Sequence, residues 1–290
     1  MSEIASPKPG AARVGARSLR RLIKVSPLGP LFRPRRIHAY CVGAPKSGTV
    51  SVWGMFASRY RAGHEATRPE AVSLMISRFN GQLTRQAAMH RLRRRDRALR
   101  LEMESSCLLA MFAEELSAAF PRAMFLLTVR EPRAWLNSIM NQHLNVDLSG
   151  RPSDELFRRL LYMPPGARYS RGEEELQRLG LFPLSGYLEG WSAHYSWVID
   201  AVPAERLLVV KTEALSNSVE QLAAFMSIPP ESIDQKRTHL HPSPCDHGVV
   251  GRLSPGLVED KVGLHCESIL ARLETLMDEQ EGRLSACDPA

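Results

Sequence analysis

The 290 residues predict a three-layer α/β fold, with a central parallel sheet flanked by helices. Three observations carry this. Short apolar runs alternate along the chain with longer helix-like stretches, the pattern of β-α-β units. The clearest run, AMFLLTV over 123–129, is continuously apolar, as a strand buried on both faces has to be. The first run, 37–42, passes through a glycine-containing loop directly into a helix-like stretch, giving strand, loop and helix in immediate succession.

Taken in order, Ile37 to Val42 is a β-rich run, Gly43 to Thr49 a loop, and Val50 to Tyr60 a helix. Leu99 to Met103 predicts a second strand, and Leu108 to Phe120 has the 3.6-residue spacing of an amphipathic helix that stops before Pro121. The strand Ala123 to Val129 ends at Arg130, and Pro132 opens a helix through Gln142. Residues 145–186 are polar and carry Pro152, Pro164, Pro165 and Gly172; they predict a long excursion with short helices, of the kind that forms a lid over a substrate. Tyr187 to Ala201 reads as helix, Arg206 to Val210 as strand, and Ser218 to Met226 as helix. A loop from His239 to Arg252 and a terminal helix from Pro255 to Met277 follow. In a sheet of this kind ligands sit at the C-terminal ends of the strands.

Hydrophobic residues at 44% and charged residues at 24% are ordinary globular values, which excludes a disordered or fibrous chain. No run approaches the roughly 18 apolar residues of a membrane span, and the N-terminus lacks the apolar block of a signal peptide. Five cysteines, scattered and without a CxxC pair, predict no disulfide framework and a cytoplasmic protein. The net charge of +7 belongs to the N-terminus: residues 1–36 carry +8 and the remainder −1. That Pro-rich, basic leader is expected to be disordered. Its segment Ser18 to Val25, with Leu19, Leu22 and Ile23 among Arg20, Arg21 and Lys24, suits peripheral contact with an anionic membrane; a solvated leader is the plainer reading. The functional domain is expected over 37–290. A second basic run, Arg85 to Arg100, fits an exposed helix face. Nucleic acid is not an expected partner, because no aromatic residues are interleaved to stack bases. His239, His241, Cys245 and His247 crowd together, but their spacing fits no zinc motif and no metal is expected.

The chemistry follows from the predicted strand ends. In the loop Gly43 to Ser51, glycines allow backbone amides to approach an anion, and the helix behind them presents its positive end. The comparison is GxxxxGK[ST]. Gly43 and Gly48 keep its spacing, yet Thr49 stands where its lysine would be, and the lysine lies inside the loop as Lys46. The strand ending at Val129 supplies Arg130 and no metal-holding carboxylate. Two cationic strand ends predict a ligand with several phosphates, bound without a metal.

These motifs resemble those of the sulfotransferases that use 3'-phosphoadenosine 5'-phosphosulfate (PAPS). Their first signature, Pro-Lys/Arg-Ser-Gly-Thr, stands here as Pro45, Lys46, Ser47, Gly48 and Thr49. Their second, a strand ending in Arg followed by X-Pro and a Ser eight residues after the Arg, stands as Arg130, Pro132 and Ser138. His64-Glu65, LEMESSC, FPRAMFLLTVREPRAWLNS, VPAERLLVVKTEAL and FMSIP extend the resemblance over most of 37–277. It implies a P-loop-like fold and a PAPS-dependent transfer of a sulfuryl group to a hydroxyl or amine. Pro45, Lys46, Ser47, Gly48, Thr49, Val50 and Ser51 would hold the 5'-phosphosulfate, with Lys46 stabilising charge on the bridging oxygen. Arg130 and Ser138 would grip the 3'-phosphate, and Lys236, Arg237, His239 or Arg252 would add contacts. Glu65 is the expected base, with His64 and Glu104 as alternatives; Ser105 would make a polar contact, and Glu213 reads as structural. The acceptor is expected to be a small molecule, a glycan or a lipid, selected by residues 145–186. The competing readings are a P-loop kinase or other nucleotide enzyme, and a non-catalytic nucleotide- or membrane-binding protein.

Overall fold

The computed structural model describes residues 34–238 and 245–285. The leader segment Ser18 to Val25, His239 and His241 lie outside the described residues. From Ile37 onward the chain forms one compact unit. In order it contains β1 (Ala39–Cys41), α1 (Thr49–Ala57), β2 (Ala62–His64), α2 (Arg68–Phe79), α3 (Arg85–Leu99) and β3 (Met103–Ser105). A 3₁₀ turn (Cys107–Phe112), α4 (Ala113–Ala119), β4 (Met124–Val129), α5 (Pro132–Asn145), α6 (Pro152–Tyr162) and α7 (Glu174–Arg178) follow. The remainder is α8 (Leu184–Ile199), β5 (Leu207–Lys211), α9 (Val219–Met226), α10 (Val249–Arg252) and α11 (Pro255–Ser285). The five strands form one sheet in the order β2-β3-β1-β4-β5, parallel at every pairing, as predicted.

Alternation along the strands explains the three layers, because successive side chains point to opposite faces. Phe125, Leu127 and Val129 of β4 enter one apolar cluster with Trp135, Tyr187, Trp191 and Tyr195. Leu126, with Ala39 and Cys41 of β1 and Leu208 and Val210 of β5, enters another with Val52, Met55 and Phe56 of α1 and Leu222 and Met226 of α9.

The strand expected at Leu99 to Met103 lies further along. Leu99 ends α3, Arg100 caps it in the left-handed conformation (φ 46°), and pairing begins only at Met103. The edge strand β2 was not legible, since Ala-Gly-His has neither apolar run nor alternation. Backbone pairing with β3 makes it a strand: Ala62, Gly63 and His64 lie opposite Met103, Glu104 and Ser105. The basic run does form an exposed helix, α3, with the exception of buried Arg95.

Residues 145–186 carry the short helices α6 and α7 and pack against the core. Phe157, Tyr162, Leu176 and Leu181 join the main core. Gly186 of α8 makes room for this: a Cβ there would lie 2.0 Å from the Tyr162 carbonyl oxygen. His143 completes the seam, surrounded by the rings of Tyr162, Phe182 and Tyr187, with Nδ1 2.7 Å from the Tyr187 hydroxyl.

Burial, with Arg158 as a lesser cause, pulls the His143 pKa down to about 3, and burial pulls that of His194 to about 4. Below the ordinary value of about 6.5 the unfolded chain therefore binds more protons than the folded one. The stability tied to these two rings is complete above pH 6.5 and declines as pH falls toward their folded values, by up to about 1.4 kcal/mol per pH unit for each ring. Urea unfolding at pH 7, 6 and 5 should show this decline, and His143→Phe should remove about half of its slope.

Candidate active site

The site is built from the loop after β1. Gly43 is required where that loop passes β4, because a Cβ would lie 1.9 Å from Thr128 Oγ1 and 2.8 Å from the Thr128 carbonyl oxygen. Gly48 caps α1 at φ 98°, a conformation that favours glycine. The loop carbonyls are taken up by side chains from elsewhere in the molecule. His194 Nε2 lies 2.8 Å from the Val42 oxygen, Trp135 Nε1 donates to Pro45 (2.7 Å) and Arg130 Nη1 to Lys46 (3.3 Å). Thr212 Oγ1 donates to Ser47 (2.7 Å), and Ser105 Oγ to Thr49 (2.6 Å). Ser105 thus supports the loop. Gly48 offers α1 no side-chain cap and the first turn holds no acid, so its amides keep their donor capacity beside the cavity.

That cavity, about 1260 Å³, is lined by Pro45, Lys46, Gly48, Thr49, Val50, Ser51, Glu65, Arg130 and Ser138. Residues separated by most of a hundred positions in sequence therefore share one wall. Ser47 is the exception. Its hydroxyl donates to the Ala44 carbonyl (2.7 Å) and lies 2.8 Å from Thr128 Oγ1, fully buried. The expectation that this hydroxyl holds a ligand is corrected: it ties the loop to β4.

Electrostatically the end of the cavity at the loop after β1 carries two cations, Lys46 and Arg130. Among the described residues neither Lys46 nor Arg130 is ion-paired with a carboxylate. Partial burial, and then the neighbouring Arg130 charge, lowers the Lys46 pKa from its usual value. Glu131 also borders the cavity, but it caps α5, accepting from the Arg133 and Ala134 amides at 2.8 and 2.7 Å. Glu213 stands exposed at the rim rather than within the core. Arg237 pairs with Asp234, and Arg252 with Glu175.

At the other end Glu65 follows β2 in the left-handed conformation (φ 45°), its amide donating to the Ser105 carbonyl at 3.0 Å. Its carboxylate accepts from Arg68 and, at 3.2 Å, from Cys107 Sγ. Arg68 reaches onward to Asp154 of α6 at 2.7 Å. Burial costs Arg68 solvation, yet Glu65 and Asp154 raise its pKa overall. His64 lines the same cavity, its ring 6.3 Å from that of Trp53. Glu104 does not. It is buried in a two-pronged ion pair with Arg95, so the expectation that it could serve as the base is corrected.

Sequence reasoning missed Arg68, Arg95 and Cys107, which support the Glu65 turn and come from elements whose faces could not be assigned. It also missed the fastening of residues 245–248 onto α5. Asn141 Nδ2 donates to Asp246 (2.8 Å), the His247 amide to Asn141 Oδ1 (2.9 Å), and His247 Nε2 lies 2.9 Å from Asn145 Oδ1. The spacing of Asn137, Asn141 and Asn145 by four was the available signal, one polar stripe along a helix.

The buried pair makes a direct prediction. Arg95→Met leaves the Glu104 carboxylate buried without its cation and should lower the unfolding free energy by about 3–5 kcal/mol. Urea denaturation measures the loss, and adding Glu104→Leu should restore most of it.

The sequence model of a family described as sulfotransferase domain matches residues 40–234. Among solved structures, a sulfotransferase from Alicyclobacillus acidocaldarius aligns at 19% identity and a TM-score of 0.45, over 85% of this chain and 96% of that one. The sulfotransferase domain of the Synechococcus PCC 7002 olefin synthase aligns at 11% identity and a TM-score of 0.36, over 77% and 82%. No curated protein matches the chain. The family match spans more than half of the 290 residues and contains the loop, both cations, Ser138 and Glu65, and on it the chain belongs to the sulfotransferase family.

Proposed function

We propose that the protein transfers the sulfuryl group of PAPS to a hydroxyl, or less often an amine, of a small-molecule, glycan or lipid acceptor. The observation that carries this reading is one cavity holding two carboxylate-free cations, Lys46 and Arg130, over an uncapped helix N-terminus, with the Glu65 carboxylate at its other end. A cation pair with no metal-holding acid suits a ligand that brings several negative charges of its own.

In this reading the α1 amides and the Thr49 and Ser51 hydroxyls bind the 5'-phosphosulfate, and Arg130 with the Ser138 hydroxyl binds the 3'-phosphate. Glu65 takes the proton of the acceptor hydroxyl as its oxygen bonds to sulfur. The bond from sulfur to the bridging oxygen breaks, and the charge left on that oxygen falls beside the Lys46 ammonium. Adenosine 3',5'-bisphosphate and the sulfated acceptor leave. Among the described residues Cys41, Cys107, Cys245 and Cys266 are free. Among the described residues no helix is long and apolar enough to cross a membrane.

Two predictions test the two ends of the cavity. Adenosine 3',5'-bisphosphate should raise the thermal midpoint without metal, since a ligand of the native state alone stabilises it, whereas ATP with magnesium should do so weakly. Arg130→Ala should weaken binding of the bisphosphate by about 1.5–3 kcal/mol and leave 5'-AMP affinity nearly unchanged; equal losses for both nucleotides, read by calorimetry, would reject the 3'-phosphate role. For the acceptor end, Glu65→Gln should lower kcat by about 10²–10⁴ with nucleotide binding intact. Release of adenosine 3',5'-bisphosphate in the presence of phenol, glycan and lipid alcohols measures that rate. Near-normal turnover of Glu65→Gln would pass the role of base to His64.

A further inference from the structure

The distribution of charge is the feature that the cavity leaves unused. Residues 1–36 carry +8 and residues 85–100 carry +6, so the remaining residues of a chain of net charge +7 together carry −7. The second basic segment is α3, and it is sharply two-sided. At 3.6 residues per turn, Ala88, Leu92 and Arg95 share the inward face and are buried. His90, Arg91, Arg93, Arg94 and Arg97 spread over the opposite face and are all exposed.

No acid lies on that outer face. Asp96, the segment's one carboxylate, turns toward His38 and Tyr40, at 3.2 and 3.4 Å. Arg85 is paired with Glu114 and Arg95 with Glu104. Among the described residues Arg91, Arg93, Arg94 and Arg97 pair with no carboxylate, although they crowd into about 9 Å of helix axis at 1.5 Å per residue. Such like charges repel one another unless an anionic surface faces them.

We propose that the outer face of α3 docks the protein onto an anionic phospholipid surface. The face is an array of exposed guanidinium groups, none of which lines either cavity bordered by Pro45, and such an array suits a plane of anionic headgroups. It also holds no Phe, Tyr or Trp on which a nucleic-acid base could stack. The sequence supplies a second basic segment, Arg17 to Lys24, in which Leu19, Leu22 and Ile23 are interleaved. Two weak membrane signals on one chain reinforce each other where one alone holds only marginally. The inner face of the same helix, through Arg95, grips the turn that carries Glu65, so the docked helix is the one that backs the acceptor end of the cavity. This surface stands independently of sulfuryl transfer, because none of the four arginines lines the cavity.

The test is cosedimentation of the full chain with vesicles of phosphatidylcholine alone or mixed with phosphatidylserine. Binding is expected only to the anionic vesicles and should weaken as salt is raised. Each basic residue near such a surface is worth about fivefold, so the variant R91Q/R93Q/R94Q/R97Q should partition about 10²–10³-fold less well. Glutamine keeps the helix propensity, and an unchanged thermal midpoint and circular dichroism spectrum show that the variant is folded. A second full-length variant, R17Q/R20Q/R21Q/K24Q, should retain part of the binding. The proposal is overturned if the wild-type chain ignores anionic vesicles, if neutral vesicles bind equally, or if the α3 variant binds as the wild type does. Loss of single-stranded oligonucleotide binding in the α3 variant, with vesicle binding unaltered, would assign the face to nucleic acid instead and equally overturn it.

Discussion

The capture of the carbonyls of the loop after β1 by side chains is the constraint on which the rest of this structure depends. A loop that offers amides to an anion must turn its carbonyls elsewhere, and buried carbonyls need donors. Here the donors come from widely separated positions: Ser105 at the end of β3, Arg130 and Trp135 around the start of α5, His194 on α8 and Thr212 after β5. Each bond is worth only about 1 kcal/mol net. Their joint effect is to require that β3, β4, β5, α5 and α8 all converge at one end of the sheet. Trp191 Nε1 donating to the Arg130 carbonyl at 3.3 Å, and the Tyr195 hydroxyl donating to Thr128 at 3.2 Å, extend the same frame one layer outward. The fold is in this sense the support of the loop, and the two aromatic residues of α8 pack the core and orient the site with the same side chains.

The opposite end of the cavity rests on a different kind of support. Glu65 and Thr67 both have positive φ without being glycine, a conformation that costs about 1 kcal/mol or more per residue and needs compensation from its surroundings. Arg95 supplies it from below, donating to the Ala66 carbonyl and, at 2.9 Å, to Thr67 Oγ1, while Glu104 neutralises it. A buried ion pair stabilises little by itself after desolvation. Its function here is geometric, since a flexible turn at this point would leave the Glu65 carboxylate with no fixed direction.

The contrast between these two supports explains what could be read in the sequence. The run 123–129, the glycines at 43 and 48 and the proline at 132 each act through their own residue, so β4, the loop and α5 were legible with their order and the parallel sheet they imply. That Lys46 and Arg130 line one cavity was legible because each follows a strand of such a sheet, whereas Ser138 was legible only through the family signature it completes. Ser47, Glu104 and Arg95 were not. A serine beside a phosphate loop and a glutamate after a strand look functional until their partners are known, and those partners, Thr128 and Arg95, are set by packing. The edge strand β2 was invisible for the same reason: its three residues are a strand only because β3 lies beside them.

The two ends also differ in what they leave open. At the loop end Lys46 and Arg130 have no described carboxylate to satisfy them, so an anionic ligand would complete the arrangement. At the other end the Glu65 carboxylate is already engaged, by Cys107 and by Arg68, and Arg68 is held in turn by Asp154 on α6. That helix belongs to the segment docked through Phe157 and Tyr162, so the orientation of Glu65 and the placement of the acceptor-side helices are linked through one guanidinium. A change in how α6 packs therefore reaches Glu65 through Arg68, and it also reaches the loop after β1 through Tyr162, whose ring lies 6.3 Å from that of Trp135, the donor to Pro45. One helix thus bears on both ends of the cavity, on the Glu65 carboxylate through a guanidinium and on the loop after β1 through an aromatic contact.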